Sequence, residues 1–182
     1  MLIGEPTSPL GEYDCTELTR RVLSVEEAQW HQDARRQQSY DVHAQTQSLI
    51  LLFCSGWPKI SITRANGWDL LADVAVPVMD RIIADHYATG GEVLRAMMTR
   101  LPPGGRIARH RDSHPSFAIA HRIHVPLQTN PQVEFIVGNE IVPPRAHFAF
   151  ELNNRVEHQV INRGAEPRIH FIFDYAPPQT QS

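Results

Sequence analysis

From residue 92 onward, short hydrophobic runs alternate with polar and turn-forming residues. Seven runs are rich in Val, Ile and Phe, and turn sequences such as PPGG, TNP, VPPR and NRG separate them. Successive side chains of a strand point to opposite faces of a sheet, so runs of this kind predict β-strands. Many short strands at close spacing are typical of a sandwich or barrel of the jelly-roll type. We therefore expect a mainly β protein with flanking helices.

The segment between Trp68 and Tyr87 has a different hydrophobic period. Pro77 either kinks or divides the helix that this period predicts. The apolar residues that recur at helical spacing are Leu71, Val74, Val78 and Ile82. The earlier run TQSLILLFC, residues 46–54, is compact and apolar and predicts a strand instead.

The N-terminal segment gives weaker signals. Ser24 and Glu27 have the spacing of a capping box, which predicts a helix from about residue 25. Residues 1–14 are interpreted as a loose arm, and residues 176–182 as a frayed tail. Because 182 residues suffice for one well-buried core and are few for two, we expect a single domain spanning residues 1–182.

Composition narrows the classes of partner and compartment. The net charge is -3 and the isoelectric point about 6.3, which leaves no excess of positive charge to bind a phosphate backbone. Cys15 and Cys54 are isolated, without a Cys-x-x-Cys motif, which suits a reducing cytoplasm. The N-terminus lacks a basic start and an apolar run, and no stretch approaches the ~20 apolar residues of a membrane span. We expect a cytoplasmic protein without a nucleic-acid or membrane partner.

The motif RHRDSH places His110 and Asp112 two residues apart at the end of a predicted strand, where both side chains can point the same way. A second triplet of this type, His31 and Asp33, lies in a helical pattern, where residues two apart diverge, so we expect both at the surface. A kinase-type catalytic loop needs an Asn five residues after the Asp, and Phe117 stands there instead. The first motif is therefore a candidate metal site.

A metal site of this kind needs a third ligand. Two histidines and one carboxylate form the facial triad of non-haem Fe(II) oxygenases, which leaves coordination positions open for reactants. His158 is the best candidate, because it lies in a predicted strand with apolar neighbours at alternate positions. Seven of the ten histidines lie between residues 110 and 170, however, and composition leaves three competitors: His114, His121 and His147.

Two predicted strands each carry one apolar and one cationic face. Arg122 and His124 share a face of one strand, and Arg168 and His170 share a face of the other. Arginines turned into an enclosed space cost several kcal/mol unless they meet anions. A dicarboxylate ligand would satisfy them, since guanidinium groups bind carboxylates through two parallel hydrogen bonds.

Four motifs follow one another along the chain in an order typical of one enzyme family. They are PPGGRIARHRD, HRIHVPL, FELNNRVEHQVINRG and PRIHFIFDY. Over roughly residues 92–175 it resembles the aspartyl/asparaginyl β-hydroxylase family of Fe(II)- and 2-oxoglutarate-dependent dioxygenases. The resemblance implies a double-stranded β-helix, a cupin-like jelly-roll barrel, as the catalytic core. It further implies that Fe(II), 2-oxoglutarate and O₂ take part in a hydroxylation that releases succinate and CO₂.

The resemblance also assigns roles to individual residues. The iron ligands would be His110, Asp112 and His158. Arg168 would bind the distal carboxylate of 2-oxoglutarate, assisted by the hydroxyl of Thr99. Arg122 and His124 match the pair that contacts the carboxylate nearer the metal.

Two positions bear on the substrate that the resemblance implies. Asp112 is present here as in bacterial relatives that hydroxylate free proline, whereas animal members lack this carboxylate ligand. Animal members also carry an arginine, thought to meet an acidic substrate, where this chain has Ala120. We expect a small amino-acid-like metabolite or a peptidyl residue as substrate, with residues 1–91, including Trp57 and Arg64, forming one wall of the pocket. The alternatives are a cupin-type metalloprotein without oxygenase activity and a non-catalytic sensor of metal or dicarboxylate.

Overall fold

The computed structural model describes residues 3–33 and 44–178, which form two antiparallel β-sheets and three α-helices. The larger sheet has the strand order β1-β9-β6-β11-β4-β2-β3, and the smaller sheet β5-β10-β7-β8. The strands of the described residues are β1 Thr7–Glu12, β2 Gln47–Ser55, β3 Ser61–Arg64, β4 Glu92–Leu101, β5 Arg106–His110, β6 His121–Gln128, β7 Val133–Val137, β8 Glu140–Ile141, β9 Phe148–Leu152, β10 His158–Asn162 and β11 Arg168–Ala176. The two sheets confirm the predicted jelly-roll.

The helices cover the outer face of the larger sheet. They are α1 Thr16–Leu23, α2 Glu27–Trp30 and α3 Asn66–His86. One hydrophobic cluster joins them to the sheet and includes Leu18, Leu71, Ile82, Val125 and Phe171. Each such fully buried side chain contributes about 1.5–3 kcal/mol to the stability of the fold. None of the helices in the described parts of the chain is long and apolar enough to cross a membrane.

Helix α3 lies very close to strand β2. A Cβ atom at Gly67 would come within 2.7 Å of the carbonyl oxygen of Ile50, so only glycine permits this approach. Pro77 lies inside α3 without dividing it, and the helix ends before the turn at Gly90, where φ is +89°. The predicted helix and the predicted strand at 46–54 are both confirmed.

Two N-terminal predictions are wrong. Residues 7–12 of the expected loose arm form β1, which pairs with β9 at the edge of the larger sheet. Ser24 does not begin a helix, because it follows α1 and its hydroxyl donates to the carbonyl oxygen of Arg21. The helix expected from residue 25 is the single turn α2 within the described residues, and its predicted extension through 34–38 lies outside them. Residues 179–182 of the expected tail also lie outside the described residues, whereas Ala176 still belongs to β11.

The inner faces of the two sheets pack against each other. Their shared apolar cluster includes Leu101 from β4, Phe135 from β7, Phe150 from β9 and Val160 from β10. The alternation predicted for β6 and β11 holds, since their apolar faces join the helix layer. The four residues of their cationic faces, Arg122, His124, Arg168 and His170, therefore point into the space between the sheets.

Candidate active site

His110 and His158 face each other across neighbouring strands of the smaller sheet. They are register partners in the β5–β10 pair, and their ring centroids lie 4.3 Å apart. The Nδ1 atom of each ring lies at hydrogen-bond distance from the carbonyl oxygen two residues earlier, 2.8 Å to Ala108 and 3.0 Å to Val156. A carbonyl only accepts, so the proton is on Nδ1 and the Nε2 lone pair is available to a metal. Burial lowers the pKa of His158, which also favours the neutral, ligating form.

Asp112 lies two residues beyond the end of β5. Its Oδ2 atom accepts a 2.7 Å hydrogen bond from Arg122 Nη1, and its Oδ1 atom lies 3.9 Å from His110 Nε2. One ligand atom from each of Asp112, His110 and His158 lies within 4.8 Å of the others. Within residues 3–33 and 44–178, no other group of three or more His, Cys, Asp or Glu side chains has this geometry.

The donor set fits Fe(II), the metal that the resemblance implies. Two neutral imidazoles and one carboxylate on one side of an ion are the facial triad of non-haem Fe(II) sites. Each histidine makes a backbone hydrogen bond that fixes its ring, as is usual for metal-binding histidines. The three residues predicted from the sequence are therefore brought together in an arrangement that can hold Fe(II).

Arg168 lies on the inner face of the larger sheet and is 2% exposed. Its Nη2 donates to His170 Nδ1 at 2.7 Å, its Nη1 to Thr99 Oγ1 at 3.5 Å, and its guanidinium carbon lies 5.9 Å from the centroid of the Phe135 ring. Burial and the charge of Arg168 hold the pKa of His170 well below its ordinary value. A guanidinium group in this position can bind a carboxylate through two parallel hydrogen bonds.

Arg122 has a different environment on the neighbouring strand. Its Nε and Nη2 donate to the two carboxylate oxygens of Asp174 at 2.8 and 2.9 Å, and Nη1 donates to Asp112. Burial opposes the charge of Arg122, but the two carboxylates outweigh it and raise the pKa of the guanidinium. The sequence suggested a ligand as the anion for this arginine, whereas protein carboxylates already supply two.

One cleft between the sheets joins these groups. It is narrow, with a cavity volume of about 30 Å³. His124 lines it beside the proposed metal ligands, stacked on Phe150 with a centroid distance of 5.2 Å. The other lining residues are Thr46, Thr99, Ile107, His110, Arg122, Phe135, His158, Val160, Arg168 and Ile172.

The competing histidines are engaged elsewhere. His114 Nδ1 contacts the hydroxyl of Ser116 at 2.8 Å, and His147 Nε2 contacts Thr19 Oγ1 at 3.0 Å. His121 lies on the outer side of the larger sheet with Nδ1 2.7 Å from a Glu151 oxygen. His31 is exposed, as expected of the second His-x-Asp triplet.

The predicted substrate contacts of Trp57 and Arg64 stay predictions. Trp57 is 45% exposed, and the Arg64 guanidinium lies 4.2 Å from the centroid of the Trp68 ring. Neither is among the described residues that line the cleft.

Sequence reasoning missed Asp174 and Arg95. Both are buried on the inner face, with Arg95 Nη1 3.3 Å from Asp174 Oδ2. The signal for Asp174 was present, because in PRIHFIFDY it shares the strand face of Arg168 and His170. An acidic residue on a strand face that carries two cationic groups could have been recognised as a candidate partner for an arginine.

The sequence profile described as aspartyl/asparaginyl beta-hydroxylase matches residues 16–178. This range extends the resemblance seen at residues 92–175 to most of the N-terminal segment. Among curated proteins, no sequence matches this chain significantly.

Solved structures share the fold at low sequence identity. An oxidoreductase of the 2OG-Fe(II) oxygenase family from Burkholderia pseudomallei is 14% identical, with a TM-score of 0.64 over 94% of this chain and 84% of its own. The viral collagen prolyl hydroxylase vCPH from Paramecium Bursaria Chlorella virus-1, solved as a 2OG complex, is 10% identical, with a TM-score of 0.58 over 97% and 98%. A non-heme monooxygenase, the ThoJ-Ni complex, is 14% identical, with a TM-score of 0.56 over 96% and 75%. Because the family profile matches most of the chain, this protein belongs to the aspartyl/asparaginyl β-hydroxylase family of Fe(II)- and 2-oxoglutarate-dependent dioxygenases.

Proposed function

We propose that this protein hydroxylates an unactivated C–H bond of a small amino-acid-like metabolite or of a peptidyl residue, with release of succinate and CO₂. The observation that carries the proposal is the arrangement of the cleft. Its lining includes both histidines of the group formed by His110, Asp112 and His158, and the buried cation Arg168 opens onto the same space.

The metal end is assigned to His110, Asp112 and His158. With 2-oxoglutarate and O₂, a bound Fe(II) supplies an oxidant strong enough to remove hydrogen from an unactivated carbon. The protein contributes position and electrostatics. The two histidines present Nε2 toward a common point, and Asp112 adds the negative charge that two neutral imidazoles lack.

The cosubstrate end is assigned to Arg168 and Thr99. A planar guanidinium binds a carboxylate through two parallel hydrogen bonds, so Arg168 would hold the carboxylate of 2-oxoglutarate that is distal to the metal. Arg122 and His124 line the cleft beside the metal ligands and would contact the nearer carboxylate. Three of the five N–H donors of Arg122 are used by Asp112 and Asp174, which leaves two for such a contact.

The N-terminal segment, residues 1–91, would complete the substrate pocket of a single catalytic domain. Thr46 from this segment lines the cleft, and Ile50 packs with Met97 and the cleft residue Ile172. Ala120 is fully buried in a small apolar cluster with Cys54 and other side chains. Because position 120 is alanine, the chain lacks the arginine that animal members carry there and that is thought to meet an acidic substrate. This difference favours a free amino acid or a small derivative over a folded Asp- or Asn-containing domain.

A substrate screen tests the proposal. Purified protein with Fe(II) and 2-oxoglutarate is offered free amino acids, short peptides and folded domains, and succinate and a product heavier by one oxygen are measured together. We expect the fastest coupled turnover with a free amino acid or small derivative, and none with His158→Ala. Stoichiometric hydroxylation of a folded domain, with only background decarboxylation for every small molecule, would contradict the proposed substrate class.

A further inference from the structure

Three neighbouring strands of the larger sheet place a row of charged residues side by side. Asp174 on the central strand β11 is the register partner of Arg95 on β4 and of Arg122 on β6. Asp174 accepts from Nε and Nη2 of Arg122 and from Nη1 of Arg95, the last at 3.3 Å. The side chain of Asp174 is 1% exposed, so this row is sealed from solvent.

The row continues through Arg122 to the metal end of the cleft. Arg122 Nη1 donates to Asp112 Oδ2, so the network contains two guanidinium groups and two carboxylates. Both guanidinium carbons also lie over the Phe117 ring, at 4.8 Å for Arg95 and 4.3 Å for Arg122. Burying charged groups costs desolvation free energy. Removing one member of such a network leaves the charge of its partner buried and uncompensated, which destabilises the fold.

Asp112 is held differently from the two histidines. His110 and His158 belong to paired strands, and each ring is also fixed by a backbone carbonyl. Asp112 lies outside the β5 ladder, where no strand pairing fixes its backbone. Arg122 holds its Oδ2, which leaves Oδ1 on the side of His110.

We propose that Asp174 is a positioning residue for the metal centre: by binding Arg122 at two atoms, it fixes the guanidinium that aims Asp112 at the metal. This inference rests on the proposed function, because it takes Asp112 as a metal ligand. It assigns a role to a buried residue that is not among those lining the cleft.

The test compares two buried carboxylates of the same sheet. Asp174→Asn removes the charge of one. Glu151→Gln does the same to a residue on β9 that accepts from Tyr87 Oη and lies beside His121 on the outer face. Affinity for Co(II) is measured by titration, and stability by thermal unfolding. We expect Asp174→Asn to weaken Co(II) binding on the order of 10- to 100-fold, as loss of partners behind metal ligands does, and Glu151→Gln to leave it nearly unchanged.

A double variant separates position from charge. Asp174→Asn alone leaves a net positive charge beside the site, which by itself repels a divalent cation. Adding Arg95→Met restores the charge balance but not the two-atom contact with Arg122. If Asp174 acts by position, the double variant stays as weak as Asp174→Asn. Recovery of wild-type affinity in the double variant would overturn the positioning role.

Other outcomes also decide the question. Equal Co(II) affinity in wild type and folded Asp174→Asn overturns the inference while the metal centre stands. Failure of the wild type to bind Co(II) instead removes the proposed function itself. Should Asp174→Asn not fold, Arg122→Lys keeps the charge but cannot hold both carboxylates. Wild-type Co(II) affinity in that variant overturns the inference equally.

Discussion

Arg122 and Arg168 lie on adjacent strands, both buried on the inner face of the larger sheet, and both open onto the same cleft. Arg122 donates to two protein carboxylates, whereas the contacts of Arg168 are with a hydroxyl, an imidazole and a ring face. The first belongs to a network of protein charges, and the second is the residue that we propose binds the distal carboxylate of 2-oxoglutarate. The comparison teaches that the role of a buried arginine depends on what stands opposite it in the sheet register.

The largest effect is expected when one of the proposed metal ligands is removed. His158→Ala takes away one of three ligands and should abolish stoichiometric Fe(II) or Co(II) binding, as measured by calorimetry under anaerobic conditions. His114→Ala is the matched control, since His114 contacts Ser116 instead, and it should bind the metal nearly as the wild type does. Tight metal binding by His158→Ala would show that the assigned triad is wrong.

The second prediction tests whether Arg168 binds the cosubstrate. Arg168→Lys keeps a positive charge but loses the two-pronged fit to a carboxylate, and charged hydrogen bonds of this type contribute about 1.5–3 kcal/mol. We therefore expect the KM for 2-oxoglutarate to rise on the order of 10- to 100-fold, with Co(II) affinity little changed. Steady-state succinate assays and metal titrations measure the two quantities. Wild-type KM in Arg168→Lys would move the distal-carboxylate role to another residue.

The smallest effect is expected at Thr99, which contacts Arg168. Thr99 Oγ1 lies 3.5 Å from Arg168 Nη1, at the limit of a hydrogen bond. Thr99→Val removes the hydroxyl at nearly constant volume, and we expect a rise in the KM for 2-oxoglutarate of only about two- to threefold, because the contact with the Arg168 cation is long. A rise as large as that of Arg168→Lys would mean that Thr99 contacts the cosubstrate directly.

The barrel strands were the part of the fold most open to prediction. Both faces of β6 and β11 are buried, and alternation in HRIHVPL and PRIHFIFDY predicts which apolar residues share one face; in the structure that face packs against the helix layer. Strand β1 was missed because its formation depends on β9, more than 130 residues away, rather than on its own weak pattern. The start of α2 was placed too early because Ser24 was interpreted as a start signal, although it follows α1.

The candidate site divides in the same way. His110 and Asp112 are close in sequence, so local spacing predicts that they meet. The link from Asp174 through Arg122 to Asp112 depends on the pairing of β6 with β11, and pairing partners are not encoded by either strand alone. Residue type and alternation thus predicted which groups face inward, but not which charges neutralise each other.

The two faces of strand β2 pack against different parts of the molecule. Leu49 and Leu51 point toward the helices, while Ile50 points inward to Met97 and Ile172 at the cleft. Gly67 of α3 packs directly against the backbone of Ile50. Packing of the helix layer and packing behind the cleft therefore fall on alternate residues of one nine-residue strand. A substitution at Ile50 would change the side chains behind the cleft, whereas a substitution at Leu49, Leu51 or Gly67 would disturb the helix layer.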